Sequence, residues 1–447
     1  MRKTLLSLGL GLLISLPAQA ENLLDIYQRA QQNDPVFRAA EQAFFATREI
    51  KAQSKALFLP VLNLSGNYNR IYQNYKGSAY LTNSEQNYTS YGYTLSLRQT
   101  IFRNDYLAQY RQADLQVAQA SARFNSAAQD LIVRVADAYF QVLAALDNLR
   151  FVQAEKQAIA EQLNQTKQRF KVGLTAITDV HEAQSRHDQS VAQEIQARNL
   201  VATTRENLRE LIGEYPRSLA ALAREVPLTP PEPQDVDAWV KTAEERSLPL
   251  IVAEKAREIA REEIGRRKSG HYPSLELVAS AGSSTTEGGA FLAFTGRTVE
   301  DARIGLQFNL PLYQGNQVVS QTRQAEYQFA QAREEYIRQK RITERNTRTA
   351  YLNVISNIST VKAFRQALKS ARTALKATEA GYEVGTRNAV EVLNSRREVF
   401  RAERDYAKAR YNYIVQALRL RQAAGILTEA DLAAINQWLQ SETELDK

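Results

Sequence analysis

Two hydrophobic periods take turns along the chain. From Val61 the period is two: Leu62, Leu64, Gly66, Tyr68 and Tyr72 alternate with Asn63, Ser65, Asn67 and Asn69. After a polar patch at Lys76 to Asn83 the alternation resumes. Tyr91, Tyr93, Leu95, Leu97 and Ile101 take one face, and Ser90, Thr94, Ser96, Arg98 and Thr100 the other. This predicts two strands joined by a loop. From about Asn104 to Phe170 there is no Pro or Gly, and the spacing turns helical. Leu131, Val135, Ala138, Val142, Ala145, Leu149, Val152, Lys156, Ile159, Leu163, Thr166 and Phe170 step by four and three in turn, a heptad seam broken only by Lys156 and Thr166. A second long helix is expected from about Thr178 to Ile212, ending at Gly213.

Flanking segments complete the first half. Glu21 to about Leu59 reads as helix, punctuated by Asp34-Pro35 and stopped by Pro60. Leu219 to Pro233 holds four prolines and reads as a stiff linker. The same order then returns. Helical stretches fall at Val236 to Arg246 and on to about Lys268. Leu275, Leu277, Ala279 and Ala281 alternate, a Gly/Ser/Thr loop is expected from Gly282 to Gly296, and Ile304 to Leu312 forms a fourth strand with Pro311 near its end.

At an offset of 212 residues the helices also match: Ala138-Tyr139 with Ala350-Tyr351, Ala197-Arg198 with Ala409-Arg410, and Gly213 with Gly425. The seam transfers in register as Val361, Phe364, Leu368, Ala371, Leu375, Thr378 and Tyr382, with Leu368 where the first copy has Lys156. Between each pair of long helices stands the same punctuation. Val172-Gly173 is followed by five residues, Asp179 and Val180; Val384-Gly385 is followed by five residues, Glu391 and Val392. The chain is therefore read as a tandem duplication. Residues 21–228 form the first repeat, 229–235 a Pro-rich linker, and 236–440 the second repeat with a C-terminal helix capped at Thr428, followed by a tail at 441–447.

Composition narrows the setting. Arg2 and Lys3, an apolar run from Leu5 to Leu16 and Ala18-Gln19-Ala20 make residues 1–20 a secretory signal peptide, with Glu21 the expected first mature residue. Losing Arg2 and Lys3 lowers the formal charge from +8 to +6, spread over helix faces, which does not suggest a nucleic-acid surface. With no cysteine there is no disulfide scaffold and no Cys-based metal site. The three histidines, His181, His187 and His271, lack helical metal-pair spacing and read as surface residues. No nucleophile elbow or phosphate loop is present, so neither an enzyme nor a cofactor is expected.

The strands fit a membrane barrel as well as a soluble hairpin. Each exceeds the roughly 9–11 residues that cross a bilayer at a tilt, with one apolar face and several tyrosines. Four strands cannot close a membrane barrel, and open sheet edges in lipid cost several kcal/mol per unpaired group. Subunits would have to pool strands; three would supply twelve. The alternative is a periplasmic structural or adhesive coiled-coil protein without a pore.

Several stretches carry a specific resemblance: Arg169 to Val180, Ala380 to Arg387, Leu310 to Gly315 and Ala409 to Tyr413. They resemble the TolC-type outer-membrane factor family, over nearly the whole mature chain. The resemblance implies a mixed α and β membrane protein: a homotrimeric twelve-strand β-barrel continuous with a twelve-helix coiled-coil α-barrel, each chain a tandem repeat. Equatorial segments would come from about Ser218 to Arg246 and the C-terminal helix. It implies an exit duct in the outer membrane of a Gram-negative bacterium, extending into the periplasm. The partners implied are outer-membrane lipid, a periplasmic adaptor and an inner-membrane RND, ABC or MFS transporter, for type I secretion or tripartite efflux.

It also implies that Thr178, Asp179, Tyr382 and Arg387 link the helical hairpins, within and between subunits, and hold the periplasmic end shut. Arg387 suits a forked bond to a carboxylate, and the Tyr382 hydroxyl suits donation to Asp179. On the residues alone a plainer reading stands beside this: Asp179 and Glu391 favour helix N-termini, and Tyr382 ends the seam. The family's two acidic constriction positions correspond to Glu391 and Asn394. One acid is missing, so weaker cation selectivity is expected. Gly173 and Gly385 are either adaptor-contacting tips or plain turn glycines.

Overall fold

The computed structural model describes residues 20–75, 84–216, 218–223, 225–288 and 296–440. The expected signal peptide up to Gln19, residues 76–83, 217, 224 and 289–295, and the last seven residues lie outside the described residues. The elements run α1 (Leu23–Asn33), α2 (Pro35–Ala56), β1 (Val61–Tyr75), β2 (Ser84–Phe102), α3 (Asn104–Lys171), α4 (Ile177–Ile212), β3 (Ala221–Leu222), α5 (Val236–Arg246), α6 (Leu248–Lys268), β4 (Ser274–Glu287), β5 (Arg297–Asn309), α7 (Gln317–Glu383), α8 (Ala389–Ala423), α9 (Glu429–Asn436) and β6 (Leu439–Gln440). The order strand, strand, long helix, long helix occurs twice. The compact units nevertheless cut across the halves. One comprises Met1–Glu41, Phe124–Leu248 and Lys340–Lys447, the other Gln42–Arg123 and Pro249–Gln339.

The second of these units carries a four-stranded antiparallel sheet of order β1-β2-β4-β5. The two hairpins meet through β2 and β4. Register aligns apolar residues in rows: Leu62 opposite Leu97, Leu97 opposite Ala279, and Ala279 opposite Ile304. The next residue along starts a polar row, Asn63, Ser96, Ser280 and Arg303. The apolar rows are not covered within the chain: Leu64 is 73% exposed and Ile304 78%. Among the described residues, β1 and β5 each have one unpaired edge.

Two strand expectations change. β4 continues through the Gly/Ser/Thr stretch to Glu287, because Gly282 to Glu287 pair with β2 and, as far as Thr286, with β5. Gly282 is needed there: a Cβ would stand 2.6 Å from the Tyr93 carbonyl oxygen. β5 begins at Arg297 and stops at Asn309, ahead of Pro311, which has no N–H to give a ladder. No described helix is long and apolar enough to cross a membrane.

The other unit holds the apolar core. Leu131, Val135, Val142, Ala145, Ile159 and Leu163 of the seam are buried, whereas Phe170 at its end is 41% exposed. Tyr139, Phe140, Leu208, Ile414 and Leu418 pack with α1 and α9 in one cluster, each large side chain contributing about 1.5–3 kcal/mol by leaving water. The expected first helix is broken at Asp34. Its carboxylate accepts from Phe37 N–H at 2.9 Å to start α2 and pairs with Arg134 at 2.6 Å. Burial pushes that carboxyl up, but the Arg134 guanidinium wins and holds it below the usual range.

The start of the proline-bearing stretch is tied down. Glu21 bridges Leu219, and Ala221–Leu222 pair with Leu439–Gln440. The buried Tyr139 hydroxyl donates to the Ala220 carbonyl at 2.6 Å and to that of Glu21 at 3.3 Å. The C-terminal helix is shorter than expected, ending at Asn436 so that β6 can form. At its start the Asp431 carboxylate accepts from Thr428 N–H at 2.9 Å.

Candidate functional site: the two hairpin ends

Both hairpin ends belong to the unit that holds the core. Their turns are built alike. Gly173 N–H reaches the Phe170 carbonyl at 2.9 Å, and Leu174 N–H the Arg169 carbonyl at 2.9 Å. Gly385 and Thr386 repeat the pattern on Tyr382 and Gly381 at 3.1 and 2.8 Å. This helix stop needs a left-handed residue. Gly173 and Gly385 supply it at φ +76° and +79°, with no atom within 4 Å of where a Cβ would stand. Within the chain, then, the turn itself accounts for both glycines.

Each helix restarts with an acid in its first turn, held by Asp179 itself at α4 and by the capping side chain of Asn388 at α8. The Asp179 carboxylate accepts from Ala176 N–H at 3.3 Å and from the Thr175 hydroxyl. Glu391 N–H donates to Asn388 Oδ1 at 2.9 Å, and the Glu391 carboxylate accepts from Asn388 Nδ2 at 3.3 Å. Arg387 Nη1 lies 3.3 Å from the same Glu391 carboxylate. Thus the two Val-Gly motifs are a helix stop and a helix start with an acid in the first turn.

The site residues are not linked to one another within one chain. Asp179 is engaged by its own turn, and Arg387 by Glu391, one helical turn away. No bond joins Tyr382 to Asp179 among the described residues. Thr178, Asp179, Tyr382 and Arg387 are all exposed. The structure does bring Asp179 and Asn394 to one cleft of about 290 Å³ between the first hairpin and the start of α8, with Ile159, Leu174, Val390 and Leu393 on its apolar side.

Sequence reasoning missed the polar contacts behind the tips. Glu194 on α4 is buried and receives Lys156 at 2.5 Å and Arg198 at 2.7 Å. The hydrogen bond from Lys156, followed by that from Arg198, holds its carboxyl at about 2. Lys156 was visible as a charge in an apolar seam, and that was the available signal for a buried partner. At the equivalent places of the second hairpin Arg410 stacks over Tyr406 at 4.9 Å, with Leu368 replacing the lysine. The hairpins are joined along α3 and α8. Tyr411 Oη donates to Asp147 at 2.7 Å, Arg397 Nε to Glu155 at 2.7 Å, and Arg419 lies 3.6 Å from Asp137.

His181 and His271 are exposed, and His187, partly covered at the surface, lies 3.5 Å from Asp188. Among the described residues no three His, Cys, Asp or Glu side chains form a metal-binding group.

Comparison with known proteins bears on what these ends belong to. The family description "outer membrane efflux protein" matches twice, at residues 26–214 and 239–426. Outer membrane protein TolC of Escherichia coli is 38% identical over 450 residues, spanning 98% of this chain and 89% of that protein. The alkaline protease secretion protein AprF of Pseudomonas aeruginosa is 31% identical over 95% of this chain and 88% of its own length. The Campylobacter jejuni CmeC outer membrane channel superposes with a TM-score of 0.76 at 15% identity, covering 94% of this chain and 90% of that one.

Proposed function

The chain belongs to the outer membrane efflux protein family and is an exit duct of the outer membrane serving efflux and type I secretion, and from that premise we propose that three copies assemble it and that its hairpin ends are its gate. The observation that carries the proposal is the open sheet. β1 and β5 leave their outer edges unpaired and an apolar face uncovered. In lipid every backbone group needs a partner, so such a sheet is stable there only when edges close on other copies. Three copies make twelve strands, wide enough for a water-filled pore.

At the periplasmic end, threefold symmetry gathers three sets of tips. Thr178, Asp179, Tyr382 and Arg387 are exposed in the single chain, and the local bonds of Asp179 and Arg387 lie at the surface, where a neighbouring copy can compete for them. Links between exposed charges are worth about 0–1 kcal/mol each. A few per subunit make a closure that a partner undoes. Glu391 supplies one acid per copy to the constriction and Asn394 none. The 3.3 Å Arg387 contact partly offsets even that acid, which favours weak cation selectivity. The duct performs no catalytic step of its own. A periplasmic adaptor docks at the tips around Gly173 and Gly385, and an inner-membrane RND, ABC or MFS transporter supplies the energy. The cargo is protein, small toxic compounds, or both.

The assembly is tested by heat-modifiable migration and detergent-dependent extraction; a monomer soluble without detergent contradicts it. The gate is tested by planar-bilayer recording of Tyr382→Phe combined with Arg387→Glu. Raised single-channel conductance is expected, and an unchanged value removes these residues from the closure. Deletion followed by secreted-protein profiling and drug sensitivity identifies the cargo.

A further inference from the structure

From its middle towards the tips the α3–α8 seam passes from a part-buried contact to a more exposed one, while behind the middle Arg419 and Asp137 lie 3.6 Å apart with side chains 45% and 35% exposed. Its middle contact joins Tyr411, 5% exposed, to Asp147. Opening this part-buried bond costs mainly on the tyrosine side, whose hydroxyl would be left without a partner in a buried position, while Asp147 is only partly covered. The contact nearest the tips joins two full charges, Glu155 Oε1 and Arg397 Nε at 2.7 Å, with side chains 19% and 49% exposed. Water or a partner's charges can replace this bond. Beyond it, among the described residues, no hydrogen bond or ion pair joins α3 to α8. There the helices flank the cleft that contains Asp179 and Asn394.

Arg397 also divides space. It lines the tip cleft and, with Glu155, a second cavity of about 410 Å³ further from the tips, which Phe151, Phe400, Arg401 and Arg404 help to form. The Glu155–Arg397 bond therefore stands as a bar across the groove between the first hairpin and α8. The duplication does not repeat it: at the equivalent positions α7 carries Ala367 and α4 carries Ser185. The bar belongs to one of the two possible inter-hairpin seams.

We propose that Glu155 and Arg397 are positioning residues of the gate: a second latch, set back from the tips, that fixes α8 against the first hairpin. While it holds, the start of α8, which bears Glu391 and Asn394, keeps its resting place. When it breaks, the two cavities join and α8 swings from its buried Tyr411 anchor. This rests on the gating role proposed above.

The test is planar-bilayer recording of the full-length protein in four forms beside the unaltered one: Glu155→Gln, Arg397→Gln, the exchange Glu155→Arg with Arg397→Glu, and the tip variant Tyr382→Phe with Arg387→Glu. Each single substitution is expected to raise the open probability roughly threefold, the scale of one half-exposed ion pair. The exchange is expected to return it towards the unaltered level while heat stability of the assembly stays the same. A bond with a merely structural role would lower heat stability and leave opening unchanged. If the tip variant opens the channel and the two single variants do not, the second latch is wrong and the gate stands. An exchange as open as the single variants also overturns the latch. If the tip variant changes nothing, the gate fails and the latch with it.

Discussion

Gly425 ends α8 with the same stop as the hairpin tips, and comparing it with them separates two costs. Its N–H reaches the Gln422 carbonyl at 2.9 Å, Ile426 N–H reaches that of Arg421 at 3.0 Å, and its φ is +72°. A Cβ at Gly425 would stand 2.1 Å from the Arg246 carbonyl oxygen and 2.8 Å from Ser247 N, both backbone atoms at the end of α5. At Gly385 the φ is +79° and nothing lies within 4 Å. Left-handed backbone costs an alanine about 1–2 kcal/mol at either place. Forcing α8 away from α5 adds about 1–3 kcal/mol at Gly425 alone. Gly425→Ala should therefore lower the temperature at which the heat-modifiable assembly dissociates by roughly 2 °C more than Gly385→Ala does. The assay is gel mobility after stepwise heating of detergent-purified protein. Equal losses for the two variants would refute the reasoning, because they would mean the close approach to Arg246 carries no weight.

Two further outcomes are expected. On the proposed constriction, Asn394→Asp adds a second acidic ring; reversal potentials in a salt gradient should shift towards cation selectivity, and trivalent cations should block at severalfold lower concentration. An unchanged potential would place Asn394 off the conducting path. Glu194, with its carboxyl held at about 2 against an ordinary 4.5, stabilises the folded chain above pH 4.5 and loses that contribution as pH falls towards 2. Protease resistance of the first hairpin should thus decline over that window in the unaltered protein. Glu194→Gln should be weaker at neutral pH and flatter across the window; a parallel decline in both would show that Glu194 does not govern it.

The sequence by itself determined what depends on near neighbours. Alternation at Leu62 and Leu64 foretold strand, four–three spacing from Leu131 foretold the long helix, and the 212-residue offset foretold the doubled order. Each is a local periodicity, and the Val-Gly stops at Gly173 and Gly385 are local too, since their hydrogen bonds close within six residues. The site was legible only in part. Thr178, Asp179, Tyr382 and Arg387 were named, but the Asp179 contact with Ala176 N–H and the capping of α8 by Asn388, with Glu391 in its first turn, appear only in the folded chain.

Tertiary structure decided which elements meet. It alone set β2 beside β4, tied Ala220 to Leu222 down through Tyr139 and β6, and extended β4 through a stretch whose serines and glycines read as loop until partners lay on both sides. It alone paired Arg397 with Glu155, 242 positions apart. A charge on a helix face carries no mark of its partner, because the face is set by the helix and the partner by packing of another. That is why the repeat and its turns were readable in the sequence, while the bar across the groove required the folded chain.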